Sequence, residues 1–346
     1  MDRLVRDTLP PSESWRRRDG DAGVSEIVAV DIGGTHARFA IAGVAEGRVA
    51  ALGETVTLKT AEHASLQTAW EAFGAGLGRP LPAAAAIAIA GPVQGEVLKL
   101  TNNPWVIQPA LLPRQLKVKR FKLVNDFGAI AHAVAQLGDE HFHHLCGPGQ
   151  PLPGEGVVSI VGPGTGLGVA QLLRRDGRYH VIETEGGHID FAPLDSLEDR
   201  ILLQLRQRYR RVSVERVASG QGLSNLYEAF ADIEGRPATI RDERALWTAA
   251  MAGDDSLAAA ALDRFCLALG AVAGDIALAQ GAGGVVIAGG LGRRLVDHLP
   301  RSGFRGRFVA KGRFERRMDE MPVKIITYPE PGLFGAAAAF AAEFGD

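Results

Sequence analysis

The sequence Ile27-Val28-Ala29-Val30-Asp31-Ile32-Gly33-Gly34-Thr35 decides the fold, because an apolar run rich in β-branched residues ends there in a glycine turn. A second apolar run follows at 38–42, and strand, glycine turn and strand together predict a β-hairpin with an exposed tip. The same order returns at 157–173, where the turn Gly162-Pro163-Gly164-Thr165-Gly166 separates two further strands. This similarity suggests a structural repeat. We therefore expect two lobes that each open with a glycine-tipped hairpin.

Helices and short buried strands alternate around these two hairpins. Apolar residues at helical spacing predict helices at 64–77, 127–137, 196–210, 257–280 and 332–344. Short apolar runs predict strands at 85–90, 122–124 and 284–288, the last followed by Gly289-Gly290 and a further helix at 292–299. This alternation indicates the α/β class. The proline- and glycine-rich stretch 148–156 would mark a boundary near the junction of two domains.

The composition excludes several classes of protein. Among 346 residues, 46% are hydrophobic and 23% charged, as in soluble globular proteins. The 38 basic and 40 acidic residues leave no basic excess for a nucleic-acid backbone. Cys146 and Cys266 are too few for a disulfide framework and fit a reducing compartment. Charged residues within 257–280 favour a buried helix of a soluble protein over a membrane span.

The first 26 residues stand apart from the rest of the chain. They contain Pro10, Pro11 and three successive arginines, with no apolar segment of the kind that a secretory signal needs. Several acidic residues in the same stretch argue against a transit peptide. We expect a poorly ordered extension.

Three glycine turns follow apparent strands, at 33–35, 162–168 and 289–290. Glycine lets backbone N–H groups converge on an anion, and Thr35 and Thr165 add hydroxyl donors. Each turn alone could be an ordinary turn, but three together favour nucleotide phosphates. The chain lacks both the G-x-x-x-x-G-K-[ST] and the G-x-G-x-x-G pattern, which disfavours a P-loop NTPase and a dinucleotide-binding dehydrogenase.

Acidic residues stand at the ends of two predicted strands. Asp31 could orient the hydration shell of a Mg²⁺ ion against a polyphosphate, or it could be a turn aspartate that bonds nearby backbone. Asp126 suits a general base for a hydroxyl, with the amide of Asn125 holding the substrate. Equally, Asp126 could cap the helix that follows.

The segment Glu185-Gly186-Gly187-His188 places a carboxylate and an imidazole beside glycines that leave both side chains uncovered. Glu215 offers a further acceptor. Carboxylates, an amide and a histidine are the groups that a polyol needs, because each hydroxyl both donates and accepts. The alternatives are a capping-box role for Glu215 and a satisfied turn histidine at His188.

His141, His143, His144 and Cys146 form a short group that contains metal-ligand residue types. Their spacing differs from the paired spacing of a structural zinc site. We expect a surface loop here.

Six motifs follow one another along the chain: Asp31-Ile32-Gly33-Gly34-Thr35, Leu100-Thr101-Asn102-Asn103-x-Trp105, Asn125-Asp126-Phe127, Gly164-Thr165-Gly166-Leu167-Gly168, Glu185-Gly186-Gly187-His188 and Ser219-Gly220-x-Gly222-Leu223. They occur in the order seen in bacterial glucokinases, and the chain from about 27 to 344 resembles that ATP-dependent family. The family belongs to the actin/hexokinase/Hsp70-like ATPase superfamily.

The resemblance implies a two-lobed actin-like (ribonuclease H-like) α/β fold, with a small domain at 27–136 plus 330–346, a large domain at 137–329, and the active-site cleft between them. It implies a cytoplasmic, homodimeric enzyme of glycolysis that transfers phosphoryl from Mg·ATP to the 6-hydroxyl of D-glucose, with Asp126 as the base. The implied sugar positions are Asn103, Asn125, Asp126, Glu185, His188 and Glu215. The implied nucleotide positions are Asp31 (also a metal position, through water), Gly33, Gly34, Thr35, Gly164, Thr165, Gly166, Gly289 and Gly290.

Related sugar kinases of the repressor/open-reading-frame/kinase group carry a cysteine-rich zinc motif after a similar Glu-Gly-Gly-His. Here Ile189-Asp190-Phe191-Ala192-Pro193 follows instead, so we do not expect the zinc-bearing branch. Two alternatives stay open. One is a kinase for another hexose or an N-acetylhexosamine, or one that uses another phosphoryl donor. The other is a non-catalytic sugar-sensing regulator, against which stands the lack of room before Ile27 for a DNA-binding domain with its own core.

Overall fold

The computed structural model describes residues 23–100 and 102–345, and within them the chain forms fourteen β-strands and eleven α-helices. The strands are β1 (Ser25–Ile32), β2 (His36–Ala45), β3 (Arg48–Leu52), β4 (Val56–Lys59), β5 (Ala84–Ile89), β6 (Leu98–Lys99), β7 (Val106–Ile107), β8 (Arg120–Asn125), β9 (Phe142–Cys146), β10 (Gly156–Pro163), β11 (Leu167–Arg175), β12 (Arg178–Thr184), β13 (Gly284–Ile287) and β14 (Val323–Ile326). The helices are α1 (Leu66–Leu77), α2 (Leu112–Leu116), α3 (Asp126–Gln136), α4 (Ser196–Arg208), α5 (Gly220–Glu234), α6 (Glu243–Ala252), α7 (Ser256–Gln280), α8 (Gly289–Arg294), α9 (Phe304–Val309), α10 (Glu315–Asp319) and α11 (Pro331–Phe344).

Two six-stranded sheets share one strand order. The first runs β3-β2-β1-β5-β8, with β4 also paired to β2, and the second runs β12-β11-β10-β13-β14-β9. In each sheet an antiparallel hairpin comes first, β1 with β2 and β10 with β11, and its first strand then pairs in parallel with a later strand. The predicted repeat of glycine-tipped hairpins is confirmed by this shared order.

Alternating side chains place each sheet between two apolar layers, as the two-residue period of a strand requires. In β1, Val28, Val30 and Ile32 pack with α1 and α2, while Ile27 and Ala29 face α11 on the other side. The second sheet packs one face against α4 to α7 and α9, and its other face against α3. Helices α3 and α11 therefore lie in the layer between the two sheets.

The central helices α3 and α11 cross at very close range. A Cβ on Gly335 of α11 would overlap the backbone carbonyl of Ala129 in α3, so only glycine allows this approach. Ala129 belongs to the core beneath the first sheet, whereas Ile130 and Val134 belong to the core beneath the second. Because α3 packs against both sheets, the position of its first residue is fixed relative to both of them.

The longest helix, α7, is capped by Asp255, whose side chain accepts from the Ala258 N–H, and it ends at Gly281 in the left-handed conformation (φ 67°). By length and composition it could cross a membrane, but 67% of its most apolar window is buried inside the structure. Its residues, Phe265 and Leu269 among them, join the core of the second sheet. The prediction of a buried core helix is confirmed.

Some boundaries differ from the predictions. The helix predicted at 292–299 begins at Gly289 and ends at Arg294, since the glycines there enter the helix instead of preceding it. The predicted loop at 141–146 is wrong, because Phe142–Cys146 forms the edge strand β9 paired with β14. The stretch 148–156 joins two strands of one sheet and so marks no boundary. β1 begins two residues before Ile27, and the extension predicted before it lies, for residues 1–22, outside the described residues.

Candidate active site

The carboxyl ends of three parallel strands meet at one edge of the first sheet. The register pairs Asp31 of β1 with Ala88 of β5, and Ile89 of β5 with Asn125 of β8. Asp31 and the Asn125-Asp126 pair therefore leave the sheet at the same level. In open α/β sheets this edge is where ligands bind.

Asn125 caps α3, and this leaves Asp126 in the first helical turn. The Asn125 side-chain oxygen accepts from the N–H groups of Phe127 at 2.9 Å and Gly128 at 3.2 Å, and its amide donates to the Gly91 carbonyl at 3.1 Å. The alternative in which Asp126 supplies the cap is wrong, because the preceding residue has taken that position. The structure thus ties the Asn125 side chain to backbone, with one amide N–H left over.

The Asp126 carboxyl is held in its neutral form more strongly than an ordinary aspartate. Burial is the largest cause that raises its pKa to about 7; the negative charges of Asp31 and Glu185 also raise it, and the hydrogen bond from the Phe127 N–H lowers it. Its Oδ1 accepts from that N–H at 3.0 Å. A base whose pKa lies near neutral pH is well matched to removing a proton from a hydroxyl.

Asp31 is the second carboxyl at this edge. Its pKa is raised to about 6, chiefly by burial; the charge of Arg38 lowers the pKa, and the charge of Glu330 raises it. Arg38 lies directly opposite Asp31 in the β1–β2 pair, with Nη1 3.6 Å from Asp31 and Nε 3.1 Å from Glu330. A Cβ on Gly332 would come within 2.9 Å of the Asp31 carboxylate, so the start of α11 packs closely against this carboxylate.

The first glycine turn, 33–35, is held by neighbouring loops. The Gly33 N–H donates to the His36 carbonyl at 2.9 Å, and the Gly33 carbonyl accepts from the Asn103 side chain at 2.8 Å. The Thr60 hydroxyl donates to the Gly34 carbonyl at 3.0 Å, while Thr35 is exposed at the tip. Asn103, predicted near the sugar, here supports the turn through a buried amide.

The second glycine turn is held in a comparable way by an acid. The Gly164 N–H donates to the Gly166 carbonyl, and the Leu167 N–H donates to the Glu215 carboxylate at 3.2 Å. The capping-box interpretation of Glu215 is wrong, since its carboxylate bonds a distant strand and its own short helix has no side-chain cap. Thr165 is exposed at this tip, as Thr35 is at the other.

Phe127, next to Asp126, covers the start of the second hairpin. Gly162 and Gly168 face each other across β10 and β11, and a Cβ on either would run into the Phe127 ring, at 2.5 Å from Cε1 for Gly162. The two glycines thus form a flat surface on which the ring rests. This contact fixes the first turn of α3 against the second sheet.

The third turn follows β13. Gly289 takes φ 77°, and a Cβ there would lie 2.5 Å from the Pro163 carbonyl, so the turn lies close behind the second hairpin. A Cβ on Gly290, like one on Gly164, would meet nothing within 4 Å. These two positions therefore leave open space beside backbone groups, which a phosphate could fill.

Directly after β12, Glu185 precedes a short 3₁₀ helix, Gly186–His188, of which His188 is the last residue. The His188 Nε2 lies 3.9 Å from the Glu185 carboxylate, and both side chains are more than half exposed. Gly187 packs so closely on the Leu167 carbonyl that a Cβ there would overlap it, which fixes this turn beside the second hairpin. Instead of a satisfied turn histidine, the structure has an accessible pair of side chains at this turn.

Magnesium fits this site as a hydrated ion rather than one held by a protein cage. Asp31 and Asp126 are both desolvated carboxyls, and the charge of Asp31 raises the pKa of Asp126, an arrangement that a nearby cation relieves. The described residues contain no group of three or more histidine, cysteine, aspartate or glutamate side chains able to hold a metal. A magnesium ion bound through one or two carboxylates and substrate phosphates needs no such group.

Comparisons with known proteins agree with this geometry. The glucokinase family model matches residues 28–343. A glucokinase of Zymomonas mobilis is 66% identical over 93% of this chain and 99% of its own. The crystal structure of a glucokinase from an Antarctic psychrotroph superposes with a TM-score of 0.80 at 33% identity, covering 91% of this chain and 98% of that one. A Streptomyces griseus glucokinase of the ROK family, solved with glucose and AMPPNP, shares the fold at a TM-score of 0.58 and 23% identity, over 92% and 99% of the two chains.

The fold is therefore that of the two-lobed, actin-like sugar kinases. Within that class, the chain belongs to the bacterial glucokinase family, as the resemblance had predicted.

Three groups that shape the candidate site were not predicted from the sequence: the Arg38–Glu330 pair at Asp31, the Phe127 ring on two glycines, and Glu183, whose carboxylate accepts from the Asn125 N–H. Arg38 could have been found, since it stands opposite Asp31 in any hairpin with this turn length. No local signal pairs Glu183 with Asn125, 58 positions away.

Proposed function

We propose that the protein transfers the γ-phosphoryl group of ATP to the 6-hydroxyl of D-glucose, with Asp126 as the general base. One observation carries the assignment of the base: the buried carboxyl of Asp126, at the start of α3, is influenced by the charge of Asp31, just before the first glycine turn, and by that of Glu185. A base at that position is influenced from the proposed nucleotide side and from the proposed sugar side, as phosphoryl transfer to a hydroxyl requires.

On the sugar side, the exposed carboxylate of Glu185 and the imidazole of His188 accept and donate to ring hydroxyls. Asn125, Asn103 and Glu215 hold the surrounding loops through their backbone bonds and offer the remaining capacity of their polar atoms. Asp126 accepts the proton of the 6-hydroxyl as the oxygen attacks phosphorus. The raised pKa of Asp126 makes its carboxylate a stronger base than an ordinary aspartate.

On the nucleotide side, the open faces at Gly164 and Gly290 and the hydroxyls of Thr35 and Thr165 receive the phosphates. Gly33, Gly34, Gly166 and Gly289 shape the turns that aim these donors. Magnesium, when bound through Asp31 and water, would neutralise charge on the phosphates. Preorganised donors of this kind stabilise the charge of the transferring group.

Two of the structural relatives support this choice of substrates. The Streptomyces griseus glucokinase was solved with glucose and AMPPNP, and that of Balamuthia mandrillaris with glucose. We further propose a small domain at 27–136 plus 330–346, a large domain at 137–329, a homodimer, and a cytoplasmic place in glycolysis. The packing of α11 on the first sheet supports including 330–346 in the small domain.

The test is sugar-dependent ADP formation by the purified full chain with Mg·ATP. Glucose, mannose, fructose and N-acetylmannosamine are compared, first with ATP and then with polyphosphate as donor. We expect preference for glucose and ATP, and a fall of about 10²- to 10⁴-fold in kcat for Asp126→Ala. Full activity of that variant would refute the base, and preference for another sugar would refute the substrate.

A further inference from the structure

Strand β12 lies along α3, and its alternate residues face the helix. The Tyr179 hydroxyl lies 3.1 Å from His132 Nδ1 and 3.2 Å from Gln136 Nε2. Val181, two residues on, packs into the apolar cluster that α3 shares with the second sheet. The next residue on this face is Glu183, as the two-residue period of a strand requires.

The strand and the helix run in opposite directions and match in length. From Tyr179 to Glu183 the strand advances four residues, about 13 Å. From Gln136 back to Gly128 the helix covers eight residues, about 12 Å. Glu183 therefore reaches the first turn of α3, where the base stands.

At that point Glu183 makes a specific contact. Its Oε1 accepts from the Asn125 N–H at 2.9 Å, one residue before Asp126. The side chain fits because Gly128 has none: a Cβ there would lie 2.5 Å from Glu183 Oε1 and 2.9 Å from its Cγ. A glycine in the first turns of a helix normally lowers helix stability, so this one makes room for the acid.

The proposed base and the proposed sugar-binding turn both adjoin this end of the α3–β12 pair. Helix α3 begins with Asp126, and β12 continues after Thr184 into the Glu185–His188 turn. We propose that Glu183 is a positioning residue that couples the sugar loop to the base loop, so that Asp126 is held against a sugar seated on Glu185 and His188. This inference rests on the proposed function of Asp126.

The first test replaces Glu183 and follows glucose-dependent ADP formation. Glu183→Ala should lower kcat about tenfold to a hundredfold, the range of one charge-assisted hydrogen bond, with the KM for ATP unchanged. Glu183→Gln keeps an acceptor oxygen and should recover most of the loss. His180→Ala, an exposed change on the other face of β12, is the matched control and should keep wild-type kcat.

The second test uses Gly128. Gly128→Ala should also lower kcat, because the new Cβ displaces Glu183, although alanine raises intrinsic helix stability and should not lower the melting temperature. In the Glu183→Ala background the space is free, so Gly128→Ala should change kcat less than twofold. Such non-additivity is specific to residues that act through one contact.

The outcomes separate this inference from the proposed function. Wild-type kcat in Glu183→Ala would overturn the positioning role. So would independent effects of Glu183→Ala and Gly128→Ala, in which the fold-losses in kcat multiply in the double variant. In both cases the proposed base would stand if Asp126→Ala still lacks activity. A Glu183→Gln variant as impaired as Glu183→Ala would also overturn it. If Asp126→Ala itself stays active, the base is wrong, and the positioning role fails with it.

Discussion

The two glycine-tipped hairpins have the same strand order and an exposed threonine at each tip, but they differ in the fourth residue before that threonine. In β1 this residue is Asp31, and in β10 it is Val161, which is fully buried in the core of the second sheet. The first hairpin thus adds a carboxyl to the candidate site. The second adds backbone groups and the Thr165 hydroxyl but no carboxyl.

The two tips also differ in how they are supported. An amide, Asn103, holds the first turn, whereas the second is held by Glu215 and covered at its base by the Phe127 ring. The two similar hairpins therefore have different roles. The first contributes a negative charge near Asp126, and the second fixes the position of α3 by packing against Phe127. Substitutions that act on one function only can test this division.

The largest expected effect is on the second hairpin. Gly168→Ala would drive a Cβ into the Phe127 ring and displace the start of α3. A shift of about 1 Å at a reacting group can cost about a hundredfold in rate, so we expect kcat to fall about a hundredfold. Overpacking should lower the free energy of unfolding by about 1–3 kcal/mol. Steady-state kinetics and urea unfolding measure both.

The matched substitution in the first hairpin is Gly33→Ala, for which the free energy of unfolding is measured. A Cβ there lies 3.5 Å from the His36 carbonyl, an ordinary contact, and Gly33 has no positive φ. Its free energy of unfolding should stay within about 0.5 kcal/mol of the wild type. Equal destabilisation of both variants would show that the hairpins do not differ in this respect.

Most of the fold was open to prediction because its signals are local. β1, β2, β10 and β11 were predicted from apolar runs bounded by glycine turns, and the ends moved by only a few residues. The prediction failed at β9. Its two histidines suggested a loop, but they are exposed because β9 is an edge strand. Half-polar edge strands lack the apolar run that marks central ones.

For the candidate site, the sequence gives candidate residues but not the partners that hold them. Asn125 and Asp126 can both cap a helix, so composition cannot decide which does; the structure gives the cap to Asn125 and leaves the carboxyl of its neighbour available. The contacts of Glu183 and Phe127 depend on how two sheets enclose α3. Such contacts join distant parts of the chain, and a single sequence carries no periodicity that reports them.

A smaller effect should follow from removing the charge of the first hairpin. The Asp126 pKa is about 7, raised by burial and then by Asp31, so protonation should remove activity as pH falls through that value. In Asp31→Asn one negative charge is gone, the Asp126 pKa falls towards its ordinary range, and the acid limb of kcat/KM for glucose moves to lower pH. A pH–rate profile from 5 to 9 measures this shift.

The control for that profile is Asp176→Asn, an exposed acid at the β11–β12 turn whose φ of 54° suits asparagine. Its acid limb should match the wild type. If Asp31→Asn leaves the limb in place or moves it upward, the first hairpin does not set the charge around the base.

The smallest expected effect is on stability. The raised pKa of Asp126 means that the unfolded chain, where an aspartate has a pKa near about 3.9, releases this proton at lower pH than the folded chain does. The free energy of unfolding therefore falls as pH rises from about 4 to about 7. Asp126→Asn removes the group, so its stability advantage over the wild type should grow by on the order of 1 kcal/mol between pH 5 and pH 8. Urea unfolding at both pH values measures it, and an advantage that shrinks over this range would mean that the carboxyl is stabilised, not strained, as an anion.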